Sequence, residues 1–221
     1  MFELGDIRFR PVEKDDLKLL HKWENDFELM MYSRSKPLNF VNMAQIERQY
    51  DEWMKQDKDI RFIVELVGTN EPIGLAVIRG QKWGNVKGAD LGTYIGKKDL
   101  WGQGYGKQIT VALLEMCFIF LNMERCQAWS IEYNTRARKT LEACGFKKGG
   151  VVRNTSLLNG RKWNSLHFDI LREEYLSIRE NLLRKTLGEK LDEYLKKHCG
   201  LAKNSKYILF EKVTFITQCS Y

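Results

Sequence analysis

The stretch LWGQGYGKQ, Leu100 to Gln108, decides the reading of this chain. Gly102, Gly104 and Gly106 alternate with other residues where a helix is due to begin. A strand-like run, ADLGTYIG (89–96), comes before them, and a long apolar run follows. Strand, glycine turn and helix N-terminus together make an anion site. The first-turn N–H groups lack partners, the helix dipole adds partial positive charge, and glycine lets a phosphate approach the backbone closely. The residues themselves therefore point to a phosphate-bearing ligand, against the plainer alternative of a glycine turn with no ligand. The ATP-binding pattern GxxxxGK[ST] fails on spacing and on Gln108. The dinucleotide pattern GxGxxG fails because the last gap is one residue short.

Upstream, Ile7–Arg10 reads as a first strand ended by Pro11. Asp15 and Asp16 open a helix with Leu17, Leu20, Trp23 and Phe27 at helical spacing. A second helix after Asn42 carries Ile46, Tyr50, Trp53 and Met54 on one face. RFIVELV (61–67), PIGLAVIRG (72–80) and ADLGTYIG then read as an antiparallel meander. Downstream, a buried helix is expected from about Tyr105 to Leu121, with a strand at CQAWSI (126–131). A helix at 135–144 follows, with Asn134 as N-cap and Gly145 at its end. VVRNTSLL and RKWNSLHFDIL flank Asn159-Gly160, a type I′ hairpin signal. The order is that of an α/β domain over residues 1–174. Residues 175–221 form an appendage, read as a charged helix (175–198) with a leucine stripe and a strand at KYILFEKVTFI (206–216). The stripe fits packing on its own domain as well as homodimerisation.

Composition bounds the function. The 221 residues are 43% hydrophobic and 29% charged, with three prolines. The N-terminus lacks a signal-peptide core, and the apolar run at 109–121 is too short to span a bilayer. A cytoplasmic protein with no membrane partner is expected. The five cysteines form no CxxC and the three histidines are scattered, so no metal is expected. The net charge of +7 fits either a nucleic-acid surface or a pocket for a small polyanion. The basic residues are dispersed, with no run of five, which argues against nucleic acid.

The glycine stretch resembles motif A of the GNAT acyltransferase superfamily, (Q/R)-x-x-G-x-(G/A). Trp101 stands in the Q/R place, and Gly104 and Gly106 match. NTRARKTLEACGF (134–146) resembles the second family signature through Asn134, Ala137, Glu142, Gly145 and Phe146. The ending GGVVRN…NGRKW…FDILREEY resembles the RimJ/RimL-like branch, which includes ribosomal-protein-alanine and spermidine acetyltransferase-like members. The resemblance covers about residues 6 to 175. It implies a mixed, mostly antiparallel central sheet with helices on both faces, and acetyl-CoA as cosubstrate.

Carried over position by position, the resemblance implies that the loop amides of Gln103 to Lys107 hold the pyrophosphate. Trp101, Gly102, Gly104, Tyr105 and Gly106 shape that loop, and Lys107 adds charge. The main chain at Tyr94, Ile95 and Gly96 pairs with pantetheine at a splay between two strands. Asn134 contacts cofactor, caps its helix, or does both. Asp90 is the first candidate for general base and Glu132 the second. The family's acid tyrosine is replaced by Leu141, and Tyr133 or Tyr94 could substitute. Substrate residues are expected among Trp23, Glu24, Asp26, Tyr32, Arg153 and Trp163. The leading reading is transfer of an acetyl group to a primary amine, borne by a protein N-terminus, a polyamine or another small molecule. A non-catalytic CoA-binding module is the rival.

Overall fold

The computed structural model describes residues 1–33, 39–56, 59–83 and 85–202. Its frame is one eight-stranded sheet. In chain order the strands are β1 (Phe2–Leu4), β2 (Ile7–Pro11), β3 (Asp59–Leu66), β4 (Pro72–Trp83), β5 (Val86–Ile95), β6 (Arg125–Ile131), β7 (Lys147–Leu158) and β8 (Arg161–Leu171). They lie side by side as β1-β2-β3-β4-β5-β6-β8-β7. Each neighbouring pair is antiparallel except β5 with β6.

The helices are α1 (Leu17–Glu24), α2 (Phe27–Ser33), α3 (Met43–Met54), α4 (Tyr105–Glu115), α5 (Thr135–Ala143), α6 (Arg172–Leu187) and α7 (Leu191–Ala202). The pleat sends successive residues to opposite faces. Ile63 of β3 accordingly joins Leu20, Trp23, Met30, Ile46 and Tyr50 of α1–α3. Val64 next to it joins the larger cluster with Ile109, Leu113 and Phe118. Every residue of α4 from Ile109 to Glu115 is buried, because the sheet lies on one side and the C-terminal helices on another.

Local signals explain the boundaries. Asn134 accepts a hydrogen bond from the Ala137 N–H at 3.1 Å and caps α5. Gly145 ends that helix at φ +91°, and its position leaves no room for a Cβ beside Ile178. Asn159 and Gly160 both have positive φ, as the two-residue hairpin turn requires.

Three expectations are corrected. A short β1 precedes the expected first strand; three residues carry too little pattern to announce it. The first expected helix is two, α1 and α2, parted at Asn25, whose side chain exchanges hydrogen bonds with the Val41 backbone. The expected 175–198 helix starts at Arg172 and breaks at Gly188, whose φ is +55°. Among the described side chains, the buried apolar members of that segment are Tyr175, Leu182, Leu183, Leu187, Leu191 and Tyr194, all within the main core, whereas Leu195 is exposed. The strand expected at 206–216 lies outside the described residues.

Glu115 ties the C-terminal helices to α4. It is fully buried and accepts from Arg179 Nε and Nη2, each at 2.7 Å, from Tyr194 Oη at 2.7 Å, and from the Tyr175 hydroxyl. Burial works against the Arg179 charge, but its bonds to Glu115 outweigh burial and raise its pKa.

Candidate active site

β5 and β6 pair only from Gly88 to Asp90, opposite Arg125 to Gln127. Beyond that rung β6 stays with β8 and β5 stays with β4, so the two strands diverge. A cleft of about 960 Å³ opens at this splay. Its lining runs from Glu24, Tyr32 and Trp53, past Leu91–Ile95, to Gly102, Gly104, Gly106 and Lys107.

The glycine loop sits at one end. Gly102 and Gly104 have φ of +80° and +91°, and a Cβ on either would meet nothing within 4 Å. They are glycine because of the backbone conformation, and the space above them is open. α4 starts at Tyr105, with Gly104 as N-cap. Among the described residues, the amides of Gly102, Gly104, Tyr105 and Gly106 make no backbone hydrogen bond outside the helix ladder. The Lys107 amide bonds Gly104 O at 3.0 Å, and the Gln103 amide meets Leu100 O at 3.5 Å. The available amide set is thus narrower than the expected Gln103–Lys107 run. Gln103 turns its side chain back to Asp99 O. Lys107, Arg136 and Lys139 line this end and give it positive charge.

Trp101 has a role that the resemblance left open. Its Nε1–H donates to Ile95 O at 2.8 Å, and the Arg136 guanidinium stacks 4.1 Å from its ring centre. Arg136 and Lys139 were missed in the sequence. Their signal was the RARK run (136–139) directly after the cap Asn134, where a helix start adds positive potential.

The strand end expected to pair with pantetheine, Tyr94–Gly96, lies beyond the last β5–β6 rung. The Gly96 N–H is used on Ile73 O at 2.8 Å. By strand alternation, the backbone groups of Leu91, Thr93 and Ile95 face the splay instead. Gly96 is required for another reason: a Cβ there would lie 2.2 Å from the Trp23 ring.

The remaining candidates separate. Glu24 and Tyr94 come together in the cleft, with Tyr94 Oη 3.5 Å from Glu24 Oε1. Trp23 is 4% exposed and packs beneath Tyr94, with ring centres 6.0 Å apart; it is a core residue rather than a cleft wall. Tyr32 lines the cleft and stands in an aromatic row from Trp101 through Tyr133 to Trp163. Trp163 lies at the far end of that row, outside the lining, under Arg161. Asn134 lines the cleft, and besides capping α5 it donates from Nδ2 to Tyr32 O at 3.0 Å. Asp26 caps α2 and pairs with Lys98.

Asp90 sits on the last paired rung and meets Arg79 Nη1 at 3.2 Å. Arg79, not Asp90, lines the cleft. Burial pushes the Asp90 carboxyl above its ordinary range, opposed by the Arg79 charge. Glu132 Oε2 accepts from the Asn164 N–H at 3.3 Å, outside the lining. Tyr133 donates to Met31 O, while Tyr94 faces the cleft. Leu141 is a buried wall of the cleft.

Residues 6–147 match the acetyltransferase (GNAT) domain family. The chain belongs to the GNAT acetyltransferases. This GNAT protein is 24% identical over 178 residues to the spermidine N(1)-acetyltransferase of Vibrio cholerae, covering 78% of this chain and 97% of that one. It is 25% identical over 170 residues to an uncharacterized N-acetyltransferase, p20, of Bacillus licheniformis, covering 76% and 94%. Its fold matches the crystal structure of a Vibrio cholerae spermidine N-acetyltransferase in complex with CoA and spermine. The TM-score there is 0.70 at 23% identity, covering 77% of this chain and 98% of that one. The GNAT chain is accordingly an N-acetyltransferase, an enzyme of amine acetylation. Among its described residues no helix is long and apolar enough to cross a membrane, and no cluster of metal-binding side chains occurs.

Proposed function

We propose that the enzyme takes acetyl from acetyl-CoA and passes it directly to a primary amine bound in the α1–α3 half of the cleft. The observation that carries this reading is the set of open amides at Gly102, Gly104, Tyr105 and Gly106, beside the diverging β5 edge. The amides and Lys107 hold the pyrophosphate, and Arg136 and Lys139 add charge for further phosphate. The pantetheine arm pairs with the exposed edge of β5 at Leu91, Thr93 and Ile95. A backbone N–H of that edge polarises the thioester carbonyl.

The amine nitrogen attacks the carbonyl carbon, the C–S bond breaks, and CoA leaves as thiolate. The proton lost by nitrogen goes to a carboxylate. Glu24 is that carboxylate, because it lines the cleft, whereas Asp90 is paired with Arg79 and is absent from the lining. Tyr94 is placed to return a proton to the thiolate, the role that Leu141 cannot fill. We place the enzyme in the cytoplasm, where acetyl-CoA and amines are at hand.

The test is thermal unfolding with and without acetyl-CoA, with NADH and ATP as controls. At about a hundred times its dissociation constant a ligand adds about 2.7 kcal/mol. A selective acetyl-CoA shift that Gly104→Val removes supports the reading. No shift with acetyl-CoA refutes it. Bound acetyl-CoA with no amine turned over would favour the non-catalytic module.

A further inference from the structure

The side chains lining the acceptor half of the cleft include two guanidinium groups and one carboxylate. Among the described lining residues, Glu24 is the one carboxylate, against Arg61, Arg79, Lys107, Arg136 and Lys139. The last three belong to the glycine-loop end. Arg61 and Arg79 do not. They stand on β3 and β4, on the same sheet face as Tyr94, where Arg61 opposes Val77 and Arg79 lies two residues further along.

Both guanidinium groups are held in place. Arg61 pairs through Nη2 with Asp59 Oδ2 at 2.8 Å and stacks 4.7 Å from the Trp53 ring centre. Arg79 lies over Gly92, where a Cβ would come within 2.9 Å of its Nη1. The missing side chain at Gly92 is what lets the guanidinium reach the cleft. A guanidinium carries five N–H donors, and among the described residues each arginine has one carboxylate partner, Asp59 for Arg61 and Asp90 for Arg79. Arg61 Nη1 is buried with no hydrogen-bond partner among the described residues. A buried donor left unmade is costly, and an incoming oxygen would satisfy it. Burial lowers the Arg61 pKa, and the Arg79 charge lowers it further despite Asp59, so the two cations repel.

Resting on the acetyl-transfer reading of this cleft, we propose that Arg61 and Arg79 bind an acidic group, a carboxylate or a phosphate, carried by the acceptor amine. The amine end meets Glu24 and Tyr94, and the acid end meets the two guanidinium groups, whose backbones stand two and four residues along from the Tyr94 row, about 7 Å for Arg61 and about 13 Å for Arg79. Arginine suits both oxyanions through paired N–H bonds. A polyamine such as spermidine, the substrate named for the Vibrio cholerae relative, has no group for these arginines and is repelled by them.

The test is CoA release with matched amines: ethanolamine, phosphoethanolamine and β-alanine, glucosamine and its phosphate, and spermidine. At least one acid-bearing amine is expected to exceed its neutral counterpart by about tenfold or more in kcat/KM. Whether phosphate or carboxylate wins tells which acid the site takes. Arg61→Gln is expected to erase that preference, and Arg61→Lys to restore part of it. Spermidine turned over as well as the acid-bearing amines overturns the proposal. So does a preference that survives Arg61→Gln, or turnover of no acid-bearing amine. The acetyl-CoA melting shift, read on the same samples, separates the two claims. A shift with no acid preference sinks the acceptor assignment alone, while no shift sinks the acetyl-transfer reading as well.

Discussion

The Trp101 indole N–H donates to the Ile95 carbonyl at 2.8 Å, joining the glycine loop to the end of β5. This bond sets how far the amides proposed to bind phosphate stand from the strand edge proposed to hold pantetheine. Trp101→Phe keeps the ring under Arg136 and deletes the donor. The expected result is a rise of about fivefold in the KM for acetyl-CoA, from about 1 kcal/mol of lost hydrogen bonding. Steady-state kinetics at saturating amine checks it. An unchanged KM means the loop holds its position without the bond.

Gly96→Ala places a methyl 2.2 Å from the Trp23 ring, which is itself buried in the α1–α3 core. The ring cannot swing into solvent, so the strand end or α1 must move. A loss of about 1–3 kcal/mol is expected, measured by urea unfolding. Trp23→Leu in the same chain should recover part of it, which a general intolerance of alanine would not.

Glu24→Gln and Asp90→Asn separate the two carboxylates. With Glu24 as proton acceptor, Glu24→Gln lowers kcat by about a hundredfold or more and leaves the acetyl-CoA melting shift in place. Asp90→Asn lowers it less, because that carboxylate is paired with Arg79 and does not line the cleft. The reverse order would return the base to Asp90, whose raised pKa would then appear as an activity limb above the ordinary carboxylate range.

Glu115→Ala leaves the Arg179 guanidinium beside two buried tyrosines with no carboxylate. Removing one partner of such a pair costs about 3 kcal/mol or more. The double change Glu115→Leu with Arg179→Leu is expected to recover most of that stability. Chemical denaturation of the three chains decides. A double variant as weak as the single one would show that the tyrosine hydroxyls, not the stranded charge, carry the loss.

Acid should loosen the C-terminal helices first. Glu3 is held below the ordinary carboxylate range by hydrogen bonds from Lys197 and Arg8, and Asp6 by those from Lys190 and Gln108. Both folded pKa values are depressed. Their contribution is therefore complete above the unfolded carboxylate range and is lost as pH falls through the lower folded values. Hydrogen exchange on acidification below about pH 4 should show α7 losing protection while β3–β5 keep theirs. Uniform loss across the chain would refute this.

Much of the molecule was legible because its signals are local. Asn134 announced a cap, Asn159-Gly160 a turn and the three alternating glycines a left-handed turn at a helix start, and each is a matter of a few consecutive residues and their φ angles. The order of strands and helices followed from hydrophobic period. What stayed hidden depended on register between distant segments. No spacing rule connects Glu24 with Tyr94, or Arg61 with Arg79, and only strand pairing brings them to one face.

The sequence by itself determined most of the elements, the glycine turn that opens α4 and the family to which the chain belongs. The tertiary structure alone decided which side chains reach the lumen. The divergence of β5 from β6 opens the cleft, and the lack of a side chain at Gly92 admits Arg79 while Asp90 stays on the rung behind. The physical reason is that conformational preference acts over a turn or two of chain. A binding site is made where segments far apart in sequence are forced into contact by burying a shared core.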